Sequence, residues 1–350
     1  MPTSIATLFG TRLPIVQAPM AGVQGHALAV AVCRAGGLGS LPAAMLAPEA
    51  LRDELSRIRA QTEAPFNVNF FCHTPPEPDA ARDAAWREAL EPYYAEAGLD
   101  SGAVAAGPGR APFTTATADL IEAFRPPVVS LHFGLPPEAL LARVRGWGAK
   151  VIASATTVDE ALWLASRGVD AIIAQGLEAG GHRGMFLTRD VTTQMGTFAL
   201  LPQIVQAVPG VPVIAAGGIA DAQGVAAAMA LGAAGVQVGT AYLCCPEATT
   251  SAVARAVLQS PGARHTALTR LFTGAPARGI VNRLMRDLGP MSEAAPAFPL
   301  ATGRIAPLRA HAEAQGSGDF SPLWSGQNAS QCRAWPAAEV TQALAEGLPR

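Results

Sequence analysis

Eight short β-rich runs, each bounded by turn residues and separated from the next by a stretch of helical character, constrain this chain more than any other feature of its sequence. The runs are PIVQAPM (14–20), GLGSLP (37–42), FNVNFF (66–71), VVSLHFG (128–134), KVIASAT (150–156), DAIIAQG (170–176), VPVIAAGG (211–218) and GVQVGT (235–240). Between them lie helix-like stretches such as HALAVAVCRAG, PEALRDELSRIRAQT, PPEALLARVRGWG, TVDEALWLASRG and DAQGVAAAMALG. Thr157 and Asp221 can cap helix starts, and Gly168 and Gly232 can close helix ends. Strands joined through helices must run parallel. Eight such units match a (β/α)8 TIM barrel, whereas an open doubly wound sheet more often has about five or six strands. The expected fold is therefore an α/β barrel.

Two segments fall outside the repeat. An excursion after the third strand, 72–116, holds one helix between Pro-rich flanks, and the chain beyond the eighth unit, 259–350, holds the amphipathic stretch PARGIVNRLMRDLG and a Gly/Pro-broken end. The sequence predicts a barrel over 1–258 and a C-terminal cap segment over 259–350 packing on it. Neither segment is apolar enough to suggest a core of its own.

Composition narrows the function. Hydrophobic residues make up 50% of the 350, charged residues 15%, and the formal net charge is -2, so no polyanion-binding surface is indicated and nucleic acid is not an expected partner. The start, MPTSIATLFG, lacks the basic and apolar stretches of a secretory signal, and the most apolar window, GVAAAMALGAAGVQVG, is too short to span a bilayer. Five cysteines without a CxxC spacing fit a reducing compartment, so a cytoplasmic protein without a membrane partner is expected. Lys150 is the single lysine and opens its strand, on the face away from a barrel's active site. That placement disfavours a Schiff base, and no Walker lysine is present.

The polar residues collect where a barrel carries its chemistry. Met20, Asn69, His132, Ser154, Gln175, Gly218 and Gly239 lie at or near the C-terminal ends of their strands. The elements AAGGIAD and VQVGTAY follow the seventh and eighth strands, where barrels commonly bind phosphate through backbone N–H groups; Gly217, Gly218, Gly239 and Thr240 are the candidate donors. The blander alternative is that Gly217 and Gly218 only tighten a turn. Asn69 and Gln175 end apolar strands, and a buried amide left unpaired costs about 1 to 3 kcal/mol. A hydrogen-bonding heterocycle or neighbouring backbone could each supply the partner. His182 sits in the loop GLEAGGHRG, whose glycines suggest a backbone shaped around a ligand, and His132 is either substrate-facing or structural. No metal site is expected, because no His/Asp/Glu spacing repeats on one helix face.

The stretches PIVQAPMAG, FNVNFF, GLEAGGHRG and VIAAGGIADAQGVAAAMALGAAGVQVGTAYL resemble the nitronate monooxygenases, formerly 2-nitropropane dioxygenases, which are FMN-dependent barrels. FFCHTPPEPD, ARGIVNRLMRDLGP, PAFPLA and GSGDFSPLWSGQNAS look like the bacterial class I branch, so the resemblance covers most of the chain. It implies that Asn69, Gln175, Gly180, Gly218, Gln237, Val238, Gly239 and Thr240 hold FMN, with Met20, Ala21, Gly181, Trp324 and Gln327 as further contacts, and that His182 is the active-site histidine. Ser154 stands where some relatives outside this branch place a lysine. The implied reaction oxidises alkyl nitronates such as propionate 3-nitronate with O2 to carbonyl compounds and nitrite. A protonated His182 would attract the anion, and a neutral one could take a proton from a nitroalkane. Two other readings stay open: an NAD(P)H-dependent flavin reductase of enoyl thioesters or quinones, and a flavin-binding module without chemistry.

Overall fold

A computed structural model describes residues 4–102 and 110–349. Eight parallel strands form one sheet: β1 (Ile15–Gln17), β2 (Gly39–Pro42), β3 (Phe66–Phe71), β4 (Val128–His132), β5 (Lys150–Ala155), β6 (Ala171–Gln175), β8 (Val213–Ala216) and β9 (Gly235–Val238). Every one lies within a run read from the sequence. The sheet closes between its two ends, where Leu38 N–H donates to Ile15 O at 2.8 Å and Gln17 N–H donates to Leu38 O at 2.9 Å. The result is a TIM barrel.

The period of two along each strand sorts the residues. Val68, Val129, Val151, Ile172, Val213 and Val236 face outward into the main core beneath the helices. Val16, Leu38, Val128, Ile152, Ile173 and Ile214 face inward and form an apolar floor, plugged from below by Ile5 and Phe9 of the first short helix. Inward positions nearer the C-terminal rim become polar: Asn69, Ser130, His132, Ser154, Gln175 and Gln237. The same alternation that builds the core thus delivers amides, hydroxyls and an imidazole to one mouth.

The helix signals act where expected. Thr157 accepts a hydrogen bond from Glu160 N–H, and Asp221 accepts one from Gly224 N–H; such caps contribute about 1 kcal/mol each. Gly168 and Gly232 take φ of 68° and 95° just past their helix ends. No helix among the described residues is long and apolar enough to cross a membrane.

Outside the barrel, the excursion helix Ala80–Ala97 buries Trp86, Leu90, Tyr93 and Tyr94 against Leu271, Leu284, Met285, Ile305 and Leu308 of the C-terminal segment. Separately neither segment has a core, and together they form one. The amphipathic stretch PARGIVNRLMRDLG divides into a strand, β11 (Ala277–Ile280), and a helix, Arg283–Leu288. Asn282 makes the break, its side chain accepting from Met285 N–H at 3.3 Å. β11 lies between β10 (Thr266–Thr269) and β7 (Gly181–His182) in a small antiparallel sheet. The last helix, Ala337–Ala345, does not cap the mouth. It carries Val340 and Leu344 into the main core and bonds the end of helix His26–Ala35, where Gln342 Nε2 donates to Ala35 O at 2.8 Å.

Candidate active site

The mouth of the barrel opens into a cavity under the C-terminal segment. His182 lies on its wall as part of β7, with Ala277 of β11 directly opposite, so the glycine-rich loop read from the sequence is in fact pinned as a strand. The charged residues of GLEAGGHRG turn away from the cavity and build the loop. Arg183 is fully buried, donating to Gln175 O at 2.6 Å, Gly176 O at 2.7 Å and Gln194 Oε1 at 2.9 Å. Glu178 accepts from Thr197 N–H at 2.8 Å and so caps the helix Thr197–Ala207, whose own N-cap residue is a glycine. Gly180 has to be glycine because a Cβ there would stand 2.5 Å from Gly326 N, where the C-terminal segment crosses the loop.

Two side chains hold the backbone carbonyl of His182, and a third orients one of them. Gln175 Nε2 donates to His182 O at 2.9 Å while Gln175 Oε1 accepts from Gly184 N–H at 2.7 Å. Of the two partners the sequence allowed for this amide, backbone is the one it has. His132 Nε2 lies 3.2 Å from the same carbonyl, which can only accept, so Nε2 carries the proton; Nδ1 then accepts from the Ser154 hydroxyl at 3.1 Å. Ser154 thereby has a function: it orients His132, which in turn orients His182.

Both imidazoles are neutral near pH 7. Burial pushes His132 down from 6.5 to about 4, against the opposing pull of the His182 carbonyl and with help from Arg183. His182 lies well below 6.5, first through burial and then through the positive field of Arg110. Its ring is enclosed by Phe298 at 5.2 Å, Trp324 at 5.6 Å, and Phe71 and Phe133 at 6.0 Å between centroids. Nε2 meets the Thr273 hydroxyl at 2.9 Å, and Nδ1 has no partner among the described residues.

A stability prediction follows from His132. A histidine whose folded value is depressed contributes fully above the unfolded value and loses that contribution as pH falls toward the folded one. Urea unfolding should therefore show a loss on the order of 2 kcal/mol between about pH 6.5 and about pH 4, allowing for water reaching the ring through the cavity. His132→Gln should make the acid-side slope shallower by that amount, the buried His182 keeping its own share; an unchanged slope would mean that His132 titrates normally.

Most residues expected at the site converge on the cavity. Met20, Ala21 and Asn69 line it from β1 and β3, and Gly180, Gly181, Gly217 and Gly218 from the β6 and β8 loops. Gln237, Gly239, Thr240 and Trp324 complete that wall. Two do not reach it. Val238 faces outward into the core, because alternation places its neighbour Gln237 inward. Gln327 donates its N–H to Glu178 O at 2.9 Å, while the residues on either side, Gly326 and Asn328, form the wall.

Sequence reasoning missed Thr273, Phe298 and Arg110. Thr273 and Phe298 lie in the C-terminal segment, and Arg110 opens the irregular stretch RAPF, where no periodicity reports which way a side chain points. His73, given no role from the sequence, meets Phe298 edge to face, with ring centres 4.8 Å apart. Among the described residues no group of three or more His, Cys, Asp or Glu side chains is placed to hold a metal.

Comparison with known proteins gives one consistent answer. The nitronate monooxygenase family profile matches residues 3–347. A nitronate monooxygenase of Pseudomonas aeruginosa is 41% identical over 97% of this chain and 97% of its own length. A crystal structure of nitroalkane oxidase from Streptomyces ansochromogenes superimposes with a TM-score of 0.88 at 38% identity, covering 97% of this chain and 96% of that one. FabK from Thermotoga maritima is more distant, with a TM-score of 0.72 at 26% identity over 98% of this chain and 95% of that one.

Proposed function

The chain belongs to the nitronate monooxygenase family, and on that premise we propose that it binds FMN in the barrel mouth and oxidises alkyl nitronates with O2 to carbonyl compounds and nitrite. The observation that carries this reading is the pairing, in one cavity, of a neutral imidazole inside an aromatic cage with a wall of open hydrogen-bonding groups. Gln237 Oε1 is buried and has no partner among the described residues, which is costly unless a ligand donates to it. The backbone N–H groups of Gly218, Gly239 and Thr240 have no acceptor among the described residues, as suits loops that cradle a phosphate. These features fit FMN. Gly218, Gly239 and Thr240 would hold its phosphate, Gln237 and Asn69 would meet its ring, and Met20, Ala21 and Gly181 would border it.

The chemistry supplied by bound FMN is acceptance of electrons from the nitronate carbon and their transfer to dioxygen. The protein's part is to orient the anion, exclude bulk water and handle the proton. Phe71, Phe133, Phe298 and Trp324 restrict water around His182. With Nε2 turned to Thr273, Nδ1 is the ring atom open to the cavity, and it can take the α-proton of a nitroalkane. His132, Gln175 and Ser154 fix where that nitrogen stands. Support for His132 as a direct substrate contact is weaker, since both its nitrogens are engaged within the protein.

Anaerobic mixing tests the reading against NAD(P)H-dependent reduction. A nitronate should bleach the yellow protein, whereas NADH and NADPH should leave its colour unchanged. Rapid bleaching by NADH or NADPH, with none by nitronate, would overturn it.

A further inference from the structure

The cavity described above contains one permanent charge, and the reaction does not yet account for it. Among the described residues on its wall, Arg110 is the only Lys, Arg, Asp or Glu. Its Nη1 donates to Thr302 Oγ1 at 3.0 Å, and its guanidinium lies 6.0 Å from the Phe298 ring centre. It forms no ion pair among the described residues, and the neighbouring residues 103–109, AVAAGPG, carry no acidic side chain. A guanidinium presents five donors, so a single bond to a threonine leaves most of them open. Burial and repulsion from Arg309 both oppose its charge. A half-buried cation without a counter-ion is costly, and a cavity that keeps one is complementary to an anion.

Neither histidine can take that part. His182 and His132 are neutral near pH 7, and the positive field of Arg110 helps keep His182 so. Phe298 neighbours both groups, its ring 5.2 Å from the His182 ring and its centre 6.0 Å from the guanidinium, and both groups line the same cavity, which places the charge and the base around one space. We propose that Arg110 is the residue that receives the negative charge of the substrate, and that it makes the site select an anionic nitronate over its neutral nitroalkane. The division of labour is then complete: Arg110 supplies charge, and His182 supplies a base that stays unprotonated beside it.

The inference rests on the proposed nitronate chemistry only for the choice of substrate, so its test has an arm that needs no turnover. Acetate is a planar anion with the shape of a small nitronate and does not react. Titrated into the flavin-loaded protein and followed by the flavin absorbance, it should bind the Arg110→Gln variant about thirtyfold more weakly than the unaltered protein, with Arg110→Lys between them. In turnover, Arg110→Gln should raise KM for a nitronate by a similar factor with kcat within about threefold, and leave KM for the neutral nitroalkane unchanged. Thr302→Val controls for folding: it removes the guanidinium's threonine bond but keeps the charge, and acetate affinity should fall by less than about threefold. The proposal is overturned if Arg110→Gln binds acetate as tightly as the unaltered protein. It is equally overturned if nitronate and nitroalkane weaken together, or if Thr302→Val reproduces the full loss. A protein that binds acetate through Arg110 but oxidises no nitronate would sink the functional reading and leave this one standing.

Discussion

Replacing His182 by Asn should leave the protein yellow and lower turnover of a neutral nitroalkane by about a hundredfold or more. The imidazole is aimed at substrate: Nε2 bonds the Thr273 hydroxyl at 2.9 Å and Nδ1 is open, while the groups assigned to hold the cofactor's phosphate and ring, Gly218, Gly239, Thr240, Gln237 and Asn69, belong to other strands and loops. A preformed nitronate has already lost the proton that His182 would remove, so its turnover should fall much less. Comparing the two substrates separates proton transfer from positioning, because a residue that merely orients the reacting carbon would slow both alike. The acid limb carries a second signature. His182 is held well below 6.5 by burial and by Arg110, so nitroalkane turnover should not decline as pH falls through 6.5. A decline centred there would show an ordinary, solvated histidine. Flavin absorbance beside nitrite release, measured across pH, reads every one of these outcomes.

Gly218→Asp should have the opposite phenotype, a protein that purifies colourless. Gly218 has φ of 75° and its N–H is open to the cavity, so the position needs a residue that tolerates left-handed backbone and must leave room for a phosphate. Asp and Asn both visit that conformation more readily than other side chains, which makes Gly218→Asn the matched control. Bulk and backbone preference are nearly equal in the pair, and only the charge differs. A carboxylate beside a phosphate should cost at least tenfold more in flavin affinity than the amide does. A yellow Gly218→Asp protein would place the phosphate in another loop.

The parts of this molecule that could be read from sequence are those governed by periodicity. The ends of β3, β4, β5 and β6 identified Asn69, His132, Ser154 and Gln175 as rim residues, because a barrel carries its chemistry at the C-terminal ends of its strands, and alternation along each strand turns them inward. The same rule, applied to β9, would have excluded Val238 in favour of Gln237 alone. Periodicity is silent on irregular backbone, which is why Arg110 and Thr273 went unnoticed although both meet the cavity or its histidine. The strand containing His182 was hidden for a related reason: two residues, one of them glycine, carry no strand signal, and β7 exists only because β11 arrives from about a hundred residues downstream. Pairing of the excursion helix with the C-terminal segment was equally invisible, since each half of that core lacks enough apolar residues to be recognised alone. The glutamate and arginine of GLEAGGHRG looked like chemistry and are construction. Glu178 caps a helix and Arg183 gathers three acceptors, and neither lines the cavity.

The most direct test of the central claim is a simultaneous record of oxygen uptake and nitrite release when a nitronate is added to the flavin-loaded protein. The account predicts that both begin at once without added NADH or NADPH, that nitrite accumulates together with the carbonyl product, and that catalase and superoxide dismutase do not abolish the signal. Flavin-loaded protein that consumes no oxygen and releases no nitrite with any short-chain nitronate would contradict it.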